Sequence, residues 1–193
     1  MCGRYQFTAE QSAEMISIVQ EIDRKNKSGL WSPGEIRPTA LAPVLMPGRG
    51  KPEADLLTWG FKTSKSLVIN ARSETAMEKP LFRESVLKYR CIVPSTGFYE
   101  WDSSKRKYFF TIPGKKELYM AGLIGFFDGK LCYCILTTAA NDSMRETHDR
   151  MPLILTKEQM DPWLNDTSAI EEILHIVPPQ LERASLEAQT SLW

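Results

Sequence analysis

Apolar residues recur at Met15, Ile18, Val19 and Ile22, the spacing of one helix face. Thr8 followed three residues later by Gln11 has the form of a capping box, so the pattern predicts a helix over about 8–25. From 26 to 50 the periodicity is broken by Gly29, Pro33, Gly34, Pro38 and Pro43, which predicts an irregular loop ending in an edge strand near 40–46. Beyond it the chain turns to short β-rich runs at 56–61, 67–70, 90–93, 98–101, 108–112, 118–127 and 131–138. A single helical stretch, 80–88, interrupts them, and Asp128-Gly129 is a tight-turn signal joining two of the runs as a hairpin. After Leu155 two short helices are expected, about 157–164 and 168–174, stopped before Pro178-Pro179. The order of elements predicts an α+β fold, mostly antiparallel with helices outside, and no repeat or linker divides residues 1–193, so a single domain is expected.

Composition narrows the classes. The 193 residues carry 24 Lys+Arg against 24 Asp+Glu, which argues against a strongly basic coat for duplex DNA. A hydrophobic content of 42% with 25% charged residues describes a globular chain. The polar start and the lack of any apolar run near the roughly 20 residues of a membrane span predict a cytoplasmic protein without membrane contact, on the nucleoid if the source is bacterial. Its cysteines, Cys2, Cys91, Cys132 and Cys134, are then expected as reduced thiols. Charge is nevertheless uneven: 62–90 holds seven basic residues against three acidic ones, and 157–193 holds two against seven. The first run is either a fluctuation on a solvated surface or a face for phosphates.

A few residues carry candidate chemistry. Cys2 follows the initiator Met, whose removal would leave a free α-amine beside the thiol; the two titrate near 7.7–8.0 and 8.5, so both are available nucleophiles. Such a 1,2-aminothiol condenses with an aldehyde to an imine and closes to a thiazolidine, helped by proximity; the alternative is an ordinary cysteine at position 2. Cys132 and Cys134, two apart in a strand, lack the usual C-x₂₋₄-C spacing, so no metal is expected, and Cys91 reads as core. His175 lies on an apolar stretch and reads as packed or surface. His148 falls in a polar segment between two apolar strands and is suited to proton transfer, or is a plain surface-loop residue. Glu100, within Gly97-Phe98-Tyr99-Glu100-Trp101, faces either solvent or an apolar pocket where it would serve as a general acid or base. Asn70 is suited to orienting a nucleophile, and Arg72 to holding a phosphate.

Four segments, Cys2-Gly3-Arg4-Tyr5, Asn70-Ala71-Arg72-Ser73-Glu74-Thr75, Gly97-Phe98-Tyr99-Glu100-Trp101 and His148-Asp149-Arg150-Met151-Pro152, together resemble the signatures of the SRAP family of SOS-response-associated peptidases, or abasic-site processing proteins. Their order and spacing agree over about 2–155, as does Trp59-Gly60-Phe61 ahead of the asparagine motif. The resemblance implies a bifurcated β-pseudobarrel and a covalent trap for abasic sites in single-stranded DNA, built without cofactor or metal. It implies that Cys2 forms the crosslink, that Asn70 positions it, and that Glu100 and His148 handle protons. Arg4, Arg72 and Arg150 are then candidate phosphate contacts, Trp59 and Phe61 stack on or wedge between bases, and Gly60, Thr75 and Lys79 complete the DNA-binding set. The family is also credited with removing the residues ahead of its own cysteine, here Met1 alone. One departure is the proline loop, where Glu35-Ile36-Arg37-Pro38-Thr39 stands in place of an Asn-x-Ala-Pro pattern. A monomer is expected, with replication or repair proteins as partners. The competing readings are a cysteine-nucleophile peptidase or amidohydrolase, with Cys2 attacking a carbonyl and His148 as base, and a non-catalytic single-stranded DNA binding module.

Overall fold

The two longest apolar runs pair with each other and organise everything else. The computed structural model describes residues 3–10, 12–25 and 27–186. In chain order its first strands are β1 (Tyr5–Phe7), β2 (Gly34–Ile36), β3 (Leu41–Met46), β4 (Glu53–Trp59), β5 (Phe61–Lys62), β6 (Leu67–Val68) and β7 (Asn70–Arg72). They are followed by β8 (Arg90–Ser95), β9 (Gly97–Trp101), β10 (Lys107–Thr111), β11 (Leu118–Phe127), β12 (Lys130–Ala139), β13 (Arg150–Pro152), β14 (Ile154–Leu155) and β15 (Glu182–Ser185). The helices are α1 (Ala13–Arg24), α2 (Ser73–Ala76), α3 (Pro80–Lys88), α4 (Lys157–Asn165) and α5 (Ile170–Leu174).

Asp128 and Gly129 both take positive φ, 53° and 77°, the backbone hand that matches the twist of a two-residue hairpin, and they join β11 to β12. From this hairpin the pairing runs β12-β4-β3-β8-β11 and returns to β12, closing a five-stranded barrel. Closure leaves no open edge along that ring. Along one side of β12, β11 pairs as far as Ile135 and β13 takes over at Thr137. Along the other side, β4 pairs at Cys132 and Tyr133, and β7 takes over at Ile135. The barrel therefore forks along a single strand.

A second sheet, in the order β15-β10-β9-β1-β2, leaves the barrel where β8 runs into β9. The crossover is built on Ser95, whose hydroxyl donates to the Gly97 carbonyl (2.7 Å) and accepts the Gly97 N–H (3.0 Å). Position 97 admits no side chain: a Cβ there would lie 2.3 Å from the Phe109 ring and 2.8 Å from the Phe110 carbonyl oxygen. Tyr5, Phe7, Phe98 and Phe110 from this sheet and Val44, Leu57, Ile92, Leu123 and Ile135 from the barrel are buried in one core.

Two expectations are corrected here. Helix α1 buries Met15, Ile18 and Ile22 as the spacing requires, but it starts later than 8: Ser12 is its N-cap, accepting the Met15 N–H, while Thr8 accepts a bond from the Gln6 amide. Gln11 lies outside the described residues. The segment near 40–46 is no edge strand either, since β3 pairs with β4 along its length and with β8 on the other side. The β3–β8 ladder is confined to Leu45 opposite Ile92, so Pro43, which has no amide hydrogen to donate, lies beyond it.

Arg90, counted in the basic run, is buried with 4% exposure. Its guanidinium donates to the carbonyls of Val86 and Leu87 at the end of α3 and of Trp163 and Leu164 at the end of α4. A cation satisfying carbonyls left over at two helix ends complements both dipoles.

Candidate active site at the fork of the barrel

Glu100 is set by the pairing of β1 with β9. Tyr5 lies opposite Phe98, Gln6 opposite Gly97, and the Tyr99 N–H donates to the Arg4 carbonyl at 2.9 Å. The same register carried one residue further brings Gly3 opposite Glu100. Strand alternation turns Phe98 and Glu100 to the inner face, beside Tyr108 across β10. Of the two orientations open from sequence, the structure takes the inward one: Glu100 is 4% exposed. A carboxyl withdrawn from water next to the N-terminal strand is a candidate for proton transfer. Met1 and Cys2 lie outside the described residues.

Asn70 and Arg72 stand on β7, beside β12, with Asn70 opposite Ile135 and Arg72 opposite Thr137. On the other side of β12, Arg150 opens β13 opposite Ala139. The two motif segments are clasped to each other: Arg150 gives Glu74 a two-pronged ion pair (2.6 and 2.9 Å) and donates to the Thr137 carbonyl at 2.6 Å. The hydrogen bonds from Arg150 hold the Glu74 carboxyl below its ordinary range, against a smaller opposing effect of burial. Arg150 is thus engaged within the protein, which makes it a clasp between motifs before it is a phosphate contact.

His148 sits in the turn-rich loop 140–149. Its Nδ1 accepts the Arg150 N–H at 3.0 Å and lies 2.8 Å from a carboxylate oxygen of Asp149. The first contact suits an unprotonated nitrogen and the second a protonated one, so this imidazole is flanked by partners for both forms. The two halves of the site meet through Tyr5 of β1 and Tyr133 of β12, whose hydroxyls are 2.6 Å apart in the core. Trp59 packs against both rings.

Several assigned residues prove to have other places. Trp59 and Phe61 are fully buried, so neither has a face to offer a base. The Trp59 indole N–H donates to the Ile69 carbonyl (3.0 Å), and Phe61 stacks on Phe127. Gly60, at φ 112°, is the kink between them, where a Cβ would meet the Leu67 side chain at 2.7 Å. Arg72 and Lys79 are exposed and Thr75 half-buried. In the basic run, Lys62 pairs with Asp128 and Lys88 with Glu84, leaving Lys65, Arg72, Lys79 and Arg83 as its outward cations.

Sequence reasoning missed a second cationic group on the outer face of β1, β2, β9 and β10. Glu35 lies 3.5 Å from Arg4, 2.7 Å from Arg37 and 3.0 Å from Lys107. Burial pushes its carboxyl up, but the bonds from Lys107 and Arg37 and the neighbouring charges outweigh this and keep it below the ordinary range. Arg4 also lies over the Trp101 ring (5.0 Å) and Lys107 over Tyr99 (4.0 Å). Alternation in 97–101, which turns Tyr99 and Trp101 away from Glu100, was the signal that could have located this face.

Cys91, Cys132 and Cys134 are buried thiols whose burial pushes each above the usual value, which makes them poor nucleophiles. Among the described residues no group of three or more His, Cys, Asp or Glu side chains is arranged to hold a metal ion.

A forked barrel carrying a buried glutamate, a strand-end asparagine and a loop histidine defines a class, and the family comparison agrees with it: the SOS response associated peptidase (SRAP) model matches residues 1–190. This chain belongs to the SRAP family. It is 30% identical to the abasic site processing protein YoqW of Bacillus subtilis, over 97% of this chain and 91% of that one. It is 26% identical to the abasic site processing protein YedK of Escherichia coli, over 91% and 85% respectively. Among solved structures, a Bordetella bronchiseptica protein superposes with a TM-score of 0.75 at 26% identity, covering 97% of this chain and all of that one. A Bacteroides thetaiotaomicron protein at 24% identity shares the fold with a TM-score of 0.77, covering 95% and 91%.

Proposed function

We propose that this protein captures abasic sites in single-stranded DNA as a covalent adduct on Cys2. The observation that supports the reading is the pairing of β1 with β9, Tyr5 opposite Phe98 and the Tyr99 N–H on the Arg4 carbonyl, which leads the chain toward Cys2 along the strand that buries Glu100. With Met1 removed, the α-amine of Cys2 attacks C1′ of the ring-opened deoxyribose. The carbinolamine loses water to give an imine, the thiolate sulfur adds to the imine carbon, and the nitrogen takes up the proton, closing a thiazolidine. Glu100 and His148 shuttle the protons of ring opening and dehydration, and Asn70 orients the N-terminal residue. Arg72 and Lys79, with Thr75 between them, offer phosphate contacts outside the catalytic group, and Arg4, beside Glu35 and Trp101, offers another. Removal of Met1 by the protein's own thiol belongs to the same proposal.

The test is to incubate the protein with single-stranded DNA bearing one abasic site, and to read intact mass together with a denaturing gel. The expected result is loss of Met1 and a denaturation-resistant adduct that Cys2→Ala abolishes. No adduct, or an undiminished one in Cys2→Ala, overturns the reading.

A further inference from the structure

The motif segments that resemble the family signatures end near 155, yet the loop that presents His148 is held from well beyond that point, within the part the family model also matches. Asn141 donates from Nδ2 to the carbonyls of Pro178 (2.9 Å) and Pro179 (3.1 Å), and the Leu181 N–H donates to Ser143 Oγ at 3.0 Å. Two residues later Arg183, on β15, donates from Nη1 to Thr147 Oγ1 (3.2 Å) and from Nη2 to Glu146 (3.0 Å). The same strand runs antiparallel to β10, with Tyr108 opposite Ser185 and Phe110 opposite Arg183. The Arg183 guanidinium also lies over the Tyr108 ring, 5.3 Å from its centroid. Tyr108 is the residue directly across from Glu100.

One side chain therefore touches both the residue preceding His148 and the residue facing Glu100. The hydrogen bonds within the loop, such as Thr147 N–H and His148 N–H to the Met144 carbonyl (2.8 and 3.0 Å), are local and shape the turn. They leave its distance from the second sheet to be set by other contacts. Arg183 supplies such a contact, with a planar guanidinium that stacks and donates in a fixed fork.

We infer that Arg183 is a positioning residue, and that 178–186 is a strap that sets the His148 loop at its working distance from Glu100. Thr147 is buried and its bond to the exposed Arg183 is half-buried, whereas Glu146 is 79% exposed and its ion pair contributes little. The hold of Arg183 on the site thus runs through Thr147, while Asn141 and Ser143 tie the start of the loop to the same strap. The inference rests on the capture chemistry proposed above.

The experiment measures single-turnover capture of single-stranded DNA with one abasic site, separating the maximal rate from the half-saturating DNA concentration. Arg183→Gln and Thr147→Val are each expected to slow the maximal rate roughly tenfold, since small misplacements of catalytic groups are costly, with half-saturation within about twofold of wild type. The double variant is expected to be no slower than the slower single one, because both remove the same bond. Arg183→Lys restores part of the rate, and Glu146→Gln captures at the wild-type rate.

Wild-type rates in both single variants, multiplicative losses in the double variant, or a change confined to half-saturation would overturn the assignment. If circular dichroism shows Arg183→Gln unfolded, Thr147→Val, which removes the acceptor hydroxyl alone, decides between these outcomes. A wild-type protein that forms no adduct removes the capture reading and the strap's role together; a normal wild-type adduct with unaffected variants removes the strap alone.

Discussion

The two halves of β12 show what a barrel gains by failing to close along its whole length. Over Cys132 and Tyr133 the strand lies between β11 and β4, with both side chains buried. From Ile135 to Thr137 its neighbour on one side is β7, from Thr137 to Ala139 its neighbour on the other is β13, and the residues beside it become Asn70, Arg72, Arg150 and, through Arg150, Glu74. The closed half buries apolar area and has no backbone edge to satisfy. The forked half parts the neighbouring strands, and polar side chains occupy the gap. The closed half gives the proposed catalytic residues around it a rigid frame.

Breaking the proposed catalytic group, to which Glu100 on β9 belongs, should act on rate before stability. Glu100→Gln is expected to slow capture by about 10²- to 10⁴-fold, the usual contribution of a general acid or base, measured in single turnover. An unchanged rate would take Glu100 out of the mechanism. Breaking the closed half should do the reverse. Leu123→Ala, on β11 opposite Cys134, is expected to lose about 2–5 kcal/mol in urea denaturation, through lost burial and the cavity left behind, with the folded fraction still capturing at the wild-type rate. Arg90→Met, which strips a charged donor from carbonyls at two helix ends, should destabilise by about 2–3 kcal/mol in the same assay.

The Glu74–Arg150 clasp joins the motifs and gives a pH signature. The Glu74 carboxyl titrates below its ordinary value of 4.5 in the folded protein, so the clasp stabilises fully above that value and its contribution falls as pH drops through the folded pKa. Melting curves of Glu74→Gln should therefore lie below wild type at neutral pH and converge with it in acid; a gap independent of pH would contradict the ion pair. The smallest effect is expected at Arg72. Arg72→Ala should reduce the salt dependence of DNA binding by about one phosphate contact, leaving the capture rate at saturation unchanged.

The elements were legible to different degrees, for physical reasons. Helix α3 matches its expected span of 80–88, because Pro80 at its first turn and the end of the apolar face both mark it locally. The β11–β12 hairpin was equally legible, since its two turn residues and both apolar runs are contiguous. Strands β1, β2, β13, β14 and β15 were not read; most are two or three residues long, and they exist because distant partners complete their ladders. The site divides in the same way. Glu100, His148 and Asn70 drew notice as residue types in unusual settings. Burial of Trp59 and Phe61 could not be told from base-stacking exposure, because an aromatic pair looks the same in either role.

What the sequence determined by itself is therefore local and chemical: where turns and capped helices fall, which side chains can move protons, and which segments resemble the SRAP signatures. Tertiary structure alone decided that Glu100 faces inward, that Arg150 closes on Glu74, that Arg90 is buried between two helix ends, and that Arg183 reaches the loop of His148. Each of these depends on segments well separated along the chain, and a one-dimensional pattern carries no signal for the register between strands that never adjoin.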